Sequence, residues 1–304
     1  MILIGTAGWS YPDWDGCVYP ARRPPGFDPL AHLARFLDCI EINASFYRIP
    51  DPRTSSSWVE RVSGRSGFRF TAKIWRGFTH EPASGPEEAA GSERAFRAFI
   101  EPLREAGILG AVLVQFPYSF HRTSEGWSRL SDLIERFEDL PLVVEVRHAS
   151  WVTLEFLAAL RERGVAFCNV DQPAISANIL PTAHVTAPLA YARLHGRNAG
   201  AWFEEGTGRD RRYDYLYTAE EISGWVDRIA SMAAGARDLI VIANNHYRGQ
   251  AVANALELKA ALAGGEVEAP SEILAAYPRL AGKVRVLSPP VGPQSPSQGV
   301  LPFR

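Results

Sequence analysis

Several charged residues lie inside short runs of apolar residues, where a charged side chain is unusual. Glu41, Glu145 and Arg193 each stand between two aliphatic residues. Burying such a charge is costly unless an opposite charge or a ligand compensates it. A carboxylate beside a guanidinium can also be tuned to act as a base. These residues therefore predict an active site, or else an internal ion-pair network. In such a network Lys73 would pair with Glu41. Arg193 would pair with Glu145.

The chemistry that these residues favour is acid–base catalysis on an anionic ligand. Glu145 or Glu41 is the candidate general base, with Glu145 preferred, and His195 is the candidate general acid. Cationic side chains would bind the anionic group, while amides and aromatic rings would contact the rest of the ligand. The predicted binding residues are Lys73, Arg147, Arg193, Asn43, Gln115, Asn244, Asn245, Tyr47, Trp14 and Trp202. We therefore expect an enzyme, a hydrolase or lyase, whose ligand bears a phosphate or another anion and includes nucleic-acid fragments among its candidates.

The elements that must position these residues alternate in type along the chain. Short apolar segments alternate with longer segments of helical periodicity, which predicts parallel strands joined by helices. Eight such units in about 250 residues predict a single closed (β/α)8 TIM-like barrel. The predicted strands are 2–6, 39–43, 68–73, 111–116, 142–147, 165–170, 190–195 and 239–244, and the predicted helices are 28–37, 54–62, 92–106, 125–137, 154–162, 219–232 and 251–262.

The period-two alternation of a strand decides which side chains enter the barrel. It predicts that Glu41, Glu145 and Arg193 face inward, near the C-terminal strand ends where this fold carries its active sites. Two segments depart from the repeat. Residues 172–188 contain three prolines and predict an irregular crossover between strands 6 and 7. Residues 288–304 are rich in Pro, Ser and Gly and predict a flexible tail after a barrel domain of residues 1–287.

The composition limits the classes of protein. With 46% hydrophobic and 22% charged residues the chain has an ordinary globular composition. A net charge of −2 provides no general attraction for nucleic acids or acidic membranes. Three widely spaced cysteines do not suggest a disulfide framework, and no apolar run is long enough to span a bilayer. We expect a soluble, cytoplasmic protein.

The motifs at the predicted strand ends closely resemble those of the domain of unknown function 72 family, also called YecE-like. The matching segments occur in the family's order over roughly residues 2–262, and are IGTAGWSY at 4–11, EINASFYR at 41–48, GFRFTAK at 67–73, LVQFP at 113–117, EVRHASW at 145–151, RLHG at 193–196 and NNHY at 244–247. The resemblance implies a TIM barrel without a settled activity. It marks as site candidates Glu41, Asn43, Lys73, Gln115, Glu145, Arg147, His148, Arg193, His195, Asn244 and Asn245.

Three alternatives to this function stay open. A carbohydrate-active hydrolase would use Glu41 and Glu145 as its two carboxylates, and their separation would set the stereochemistry. A divalent metal would take its ligands from Glu41, Glu145, Asp171 and His195, although neighbouring cations would repel it. A protein that binds a nucleic acid or another ligand without turnover would show salt-dependent binding alone.

Overall fold

The structure is a computed structural model that describes residues 1–81, 85–201 and 209–287. Eight parallel strands close into a barrel in chain order, which confirms the predicted TIM-like fold. The strands are β1 (Ile2–Ala7), β2 (Cys39–Ile42), β3 (Arg69–Lys73), β4 (Leu109–Gln115), β5 (Leu142–Glu145), β6 (Ala166–Asp171), β7 (Leu189–Leu194) and β8 (Asp238–Ala243). Closure comes from β1, which pairs with both β2 and β8.

Helices cover the outside of the barrel and the loops at its C-terminal end. They are α1 (Pro29–Leu33), α2 (Ala44–Tyr47), α3 (Pro52–Val62), α4 (Arg76–Thr79), α5 (Pro86–Glu105), α6 (Ser124–Arg136), α7 (Leu154–Glu162), α8 (Arg209–Arg212), α9 (Ala219–Gly235), α10 (Gln250–Ala263) and α11 (Ile273–Ala276), with 3-10 turns at Pro12–Trp14, Ala149–Trp151, Ala199–Ala201, Tyr247–Gly249 and Pro278–Leu280. The start of α9 is fixed by a capping box between Thr218 and Glu221. No helix in these described ranges is both long and apolar enough to span a membrane.

Buried polar side chains lie toward the C-terminal ends of several barrel strands. Glu41 pairs with Thr71 across β2 and β3, and Gln115 pairs with Glu145 across β4 and β5. The neighbouring positions of these strands are mostly buried apolar residues. The inner polar residues therefore lie together near the C-terminal strand ends, where the alternation predicted them.

The crossover between β6 and β7 is irregular, as predicted. Residues 172–188 contain no helix. Asn169 helps to hold the segment in place, since its Oδ1 accepts from His184 N and Thr182 Oγ1, both at 2.7 Å. Thr186 Oγ1 accepts from Phe167 N at 2.8 Å, which fixes the far end of the segment.

A small parallel sheet follows the barrel and was not predicted. It consists of β9 (Val267–Pro270) and β10 (Val284–Leu287), which pair in register from Val284 with Val267 onward. The segment of β9 contains Glu268 and Pro270, and in β10 only Val284 is buried, so neither strand is a buried apolar run like those of the barrel. The predicted tail, residues 288–304, lies outside the described residues.

Candidate functional site

A cavity of about 590 Å³ opens at the C-terminal ends of the barrel strands. It is formed largely by residues of the loops and short helices that follow the strands. It is lined by three cations, six aromatic residues, three amides, two histidines and three small residues: Lys73, Arg76, Arg147, Trp9, Tyr11, Phe46, Tyr47, Trp58, Tyr213, Asn43, Gln115, Asn244, His80, His246, Gly8, Ser10 and Ala44. Of the described residues that line it, none is acidic.

The two inner carboxylates lie buried below the cavity and share one guanidinium. Arg193 Nη2 donates to Glu41 Oε1 at 2.6 Å, and Arg193 Nη1 donates to Glu145 Oε2 at 2.5 Å. All three side chains are at most 1% exposed. Tyr191, on the same strand as Arg193, donates from Oη to Glu41 Oε2 at 3.1 Å. The predicted pair of Glu145 with Arg193 is confirmed. The predicted pair of Glu41 with Lys73 is wrong, because Arg193 spans both carboxylates.

A second arginine also contacts Glu145. Arg147 Nε donates to Glu145 Oε1 at 3.1 Å, while the rest of the Arg147 side chain reaches the cavity wall. Burial by itself would raise the pKa of Glu145, but Arg193, His195 and Arg147 together hold it well below its usual range. Glu145 is therefore an ionised structural anion and a weak proton acceptor.

His195 is a neutral imidazole beneath the cavity. Burial lowers the pKa of His195 to about 3 against the opposing effect of Glu145, and the charge of Arg193 acts in the same direction as burial. Asn244 Nδ2 lies 2.9 Å from His195 Nδ1, so Asn244 donates and the imidazole proton belongs on Nε2. That atom faces Glu145 Oε1 at 3.4 Å. His195 thus positions Asn244, whose side chain lines the cavity.

Lys73 is the last residue of β3, and its side chain enters the cavity although the residue is only 8% exposed. Its Nζ lies 4.3 Å from the centre of the Phe46 ring, a cation–π contact. Burial lowers the pKa of Lys73 to about 7, and the charge of Arg193 acts in the same direction. The backbone is held in place by Ser45 Oγ, which donates to Lys73 O at 2.6 Å.

Most of the predicted binding residues meet at this cavity. Lys73, Arg147, Asn43, Gln115, Asn244 and Tyr47 line it, whereas Arg193, Glu41, Glu145 and His195 form the layer below. Trp14 is fully buried and donates from Nε1 to His246 O at 2.7 Å, so it packs behind the wall. Asn245 is also buried, donating from Nδ2 to Tyr215 O and to Asn254 Oδ1. Trp202 lies outside the described residues.

Asp171 does not join the other predicted metal ligands. Both of its oxygens accept from Arg197, at 2.7 Å each, and Oδ2 also accepts from Trp225 Nε1 at 2.5 Å. Glu41 and Glu145 are likewise occupied by Arg193. Within residues 1–81, 85–201 and 209–287, no group of three or more His, Cys, Asp or Glu side chains has the arrangement of a metal site. The donor set of the metal alternative therefore does not assemble.

Eleven of the lining residues were absent from the predicted binding set, among them Arg76, His80, Tyr213 and His246. Arg76 and His80 lie on the turn and short helix that follow β3, so their proximity to Lys73 in sequence was the available signal. His246 directly follows the Asn244–Asn245 pair, and its ring stacks on Tyr11 at 4.4 Å. Tyr213 comes from a long loop, where no periodic pattern indicates a direction.

The fold and the site define a TIM-like barrel with a cationic, aromatic-walled cavity at its C-terminal face. Residues 3–276 match the family described as "Protein of unknown function DUF72". The chain belongs to that family, which confirms the resemblance seen in the motifs.

The relatives of this chain cover most of the barrel. It is 28% identical over 271 residues to UPF0759 protein YunF of Bacillus subtilis (strain 168), covering 85% of this chain and 93% of that protein. It is 32% identical to a DUF72 family protein of Thermotoga maritima MSB8, whose crystal structure superposes with a TM-score of 0.75 over 86% of this chain and 99% of that one. A DUF72 family protein of Enterococcus faecalis V583 is 30% identical and also has a TM-score of 0.75, over 86% and 96% of the two chains.

Proposed function

We propose that the protein is an enzyme that binds a small anionic substrate in the cavity at the C-terminal end of the barrel. The observation that carries the proposal is the composition of the wall, which contains Lys73, Arg76 and Arg147 and, among the described lining residues, no carboxylate. A volume of about 590 Å³ lies within the range of small-molecule sites.

The charges below the cavity strengthen this argument. Arg193 and Arg147 balance the charges of Glu41 and Glu145, so these four residues together are neutral, and Arg76 of the wall is paired with Glu81. Lys73 adds a further positive charge when it is protonated. Because Lys73 is only 8% exposed, its charge acts on a bound anion more strongly than it would in water.

The positions of the side chains suggest a division of roles. Lys73 and Arg147 bind the anionic group, and Asn43, Gln115 and Asn244 offer amide hydrogen bonds. The aromatic residues of the wall contact the apolar face of the substrate. Lys73 also replaces Glu145 as the group that transfers a proton, since its pKa of about 7 suits that task at neutral pH.

The carbohydrate-hydrolase alternative receives less support. A pair of carboxylates must flank the glycosidic bond with the sugar between them. Here the guanidinium of Arg193 occupies the space between Glu41 and Glu145, and neither carboxylate lines the cavity. A reaction that proceeds through cations and a lysine fits the site better.

Titration calorimetry with inorganic phosphate tests the proposal. We expect wild-type protein to bind phosphate, and Arg147→Gln to bind it at least tenfold more weakly, because an ionic hydrogen bond contributes about 1.5–3 kcal/mol. The control is Arg237→Gln, since Arg237 precedes β8 at the opposite end of the barrel and its side chain is 79% exposed. Equal affinity in all three proteins, or no binding by the wild type, would refute the proposal.

A further inference from the structure

We propose that the Lys73 amine is a nucleophile that forms an imine with the carbonyl group of an anionic aldehyde or ketone bound in the cavity. This inference rests on the proposed function, because the cations of the wall supply the anion site, and it names the class of substrate. Three observations support it: lysine is rare in this chain, Lys73 is buried without a carboxylate partner among the described residues, and its side chain lines the cavity.

Lysine is rare in this protein. Of 32 basic residues, counting lysine and arginine, three are lysines: Lys73, Lys259 and Lys283. Two of them serve as structural cations, since Lys259 Nζ contacts Asp38 Oδ1 at 2.7 Å and Lys283 Nζ contacts Glu257 Oε1 at 2.8 Å. In the part of the chain that the structure describes, Lys73 has no carboxylate within ion-pairing distance.

The other permanent positive charges at the cavity come from arginine residues. Arg76, Arg147 and Arg193 supply three permanent cations within or directly below the wall, and each is paired with a carboxylate: Arg76 with Glu81, and the other two with Glu145. A guanidinium keeps its proton at any physiological pH, whereas an amine can lose its proton and attack a carbon atom. A lysine among these arginines therefore indicates chemistry that arginine cannot perform.

The surroundings of Lys73 keep part of the amine neutral. Carboxylates and cations from several elements surround it: Glu41 from β2, Glu145 from β5, Arg147 after β5, Arg193 from β7 and His80 after α4. Glu41 and Glu145 favour the ammonium form but are occupied by Arg193, while burial and the two guanidinium groups favour the free amine. With a pKa near 7, about half of the amine is free at neutral pH.

The reaction balances without a co-reactant. The nitrogen lone pair of the neutral amine attacks the carbonyl carbon, and the electrons of the C=O double bond move to the oxygen. Proton transfer from nitrogen to oxygen gives a carbinolamine, which loses water as the C=N bond forms. Counted from the ammonium form, Lys73 and the carbonyl compound yield a protonated imine and one water. The positive charge remains on nitrogen, next to the anionic group that Arg147 holds.

Reductive trapping tests this step. Purified protein is incubated with pyridoxal 5′-phosphate or with glyoxylate, two anionic aldehydes of different size, and reduced with sodium borohydride. Peptide mass spectrometry then measures the adduct at each of the three lysines. We expect at least tenfold more adduct at Lys73 than at Lys283, although the Lys283 side chain is 42% exposed. We also expect half-maximal labelling near pH 7 and competition by inorganic phosphate.

Matched variants distinguish a requirement for the amine group from a requirement for positive charge alone. Lys73→Arg keeps the cation and is expected to bind phosphate but to give no adduct at position 73, whereas Lys259→Arg is expected to leave labelling of Lys73 unchanged. Phosphate binding by the wild type without adduct at Lys73 from either aldehyde overturns this inference and leaves the proposed function standing. A higher yield of adduct at the exposed Lys283 than at Lys73 also overturns the inference. Absence of phosphate binding refutes the proposed function itself.

Discussion

Burial of the Lys73 ammonium lowers the stability of the folded protein. In the unfolded chain a lysine keeps its proton up to a pH of about 10.4. In the folded protein burial lowers the pKa of Lys73 to about 7. Between these values the unfolded state binds more protons than the folded state, so stability rises with pH. Below the lower value both states are protonated and the full cost of burying the charge remains.

Replacing Lys73 with methionine removes this cost. We expect Lys73→Met to be more stable than the wild type at about pH 6, and this advantage to shrink by up to about 1.4 kcal/mol per pH unit as the pH rises above 7. Urea denaturation at several pH values measures the difference. Lys259→Met is the control, because that ammonium is paired with Asp38 and its loss brings no gain at low pH. A difference between Lys73→Met and the wild type that does not change with pH would contradict the argument.

At the scale of elements, the loops after β1 and β8 hold each other in place and shape the cavity wall. Trp14 and Arg248 make the main links, since Trp14 Nε1 donates to His246 O and Arg248 O accepts from Cys17 Sγ and from Tyr277 Oη. The chain then enters α10 through Gly249, whose φ of 84° is left-handed. These contacts fix the stretch that carries Asn244 and His246 to the cavity.

Gly249 is a sensitive point of this arrangement. A Cβ at this position would lie 2.6 Å from Val18 Cγ2, and the left-handed backbone would be strained for any side chain. We expect Gly249→Ala to lower the free energy of unfolding by about 2 kcal/mol. Gly91→Ala is the matched control, because Gly91 lies within α5 with open space around it and alanine should stabilise the helix by about 0.5–1 kcal/mol. Chemical denaturation of both variants decides, and a neutral Gly249→Ala would show that the loop adapts freely.

At the scale of the whole molecule, the positive charge is local. The chain has a net charge of −2, yet the cavity wall is cationic. A small anion needs only the cavity, whereas a long polyanion needs basic residues spread along its path. The distribution of charge therefore favours a substrate the size of a sugar phosphate or a mononucleotide over a nucleic-acid duplex.

This preference can be measured by competition. At about 0.15 M salt we expect a mononucleotide to displace bound phosphate, while a duplex oligonucleotide at the same phosphate concentration displaces it at least tenfold less effectively. Fluorescence anisotropy of the labelled duplex across a salt series provides the second readout. Tight duplex binding that weakens steeply with salt would favour the nucleic-acid alternative and contradict the size argument.

The sequence alone determined the barrel and the set of residues at its C-terminal end. Alternating strands and helices define the fold because they are local patterns, and the period of two placed Glu41, Glu145 and Arg193 inside. The prolines of residues 172–188 likewise predicted an irregular crossover, since proline removes the donors that a helix needs. Strands β9 and β10 were not recognised because neither forms a buried apolar run, unlike the equally short β2 and β5.

Only the tertiary structure decided how deeply each polar side chain is buried and which residue it contacts. Period and position cannot tell that Arg193 spans both carboxylates, that Asp171 is held by Arg197, or that Trp14 packs behind the wall. These outcomes depend on which side chains from strands far apart in sequence compete for the same charge and the same space. That competition left Lys73 as the buried amine facing the cavity, because the carboxylate predicted to pair with it was taken by Arg193.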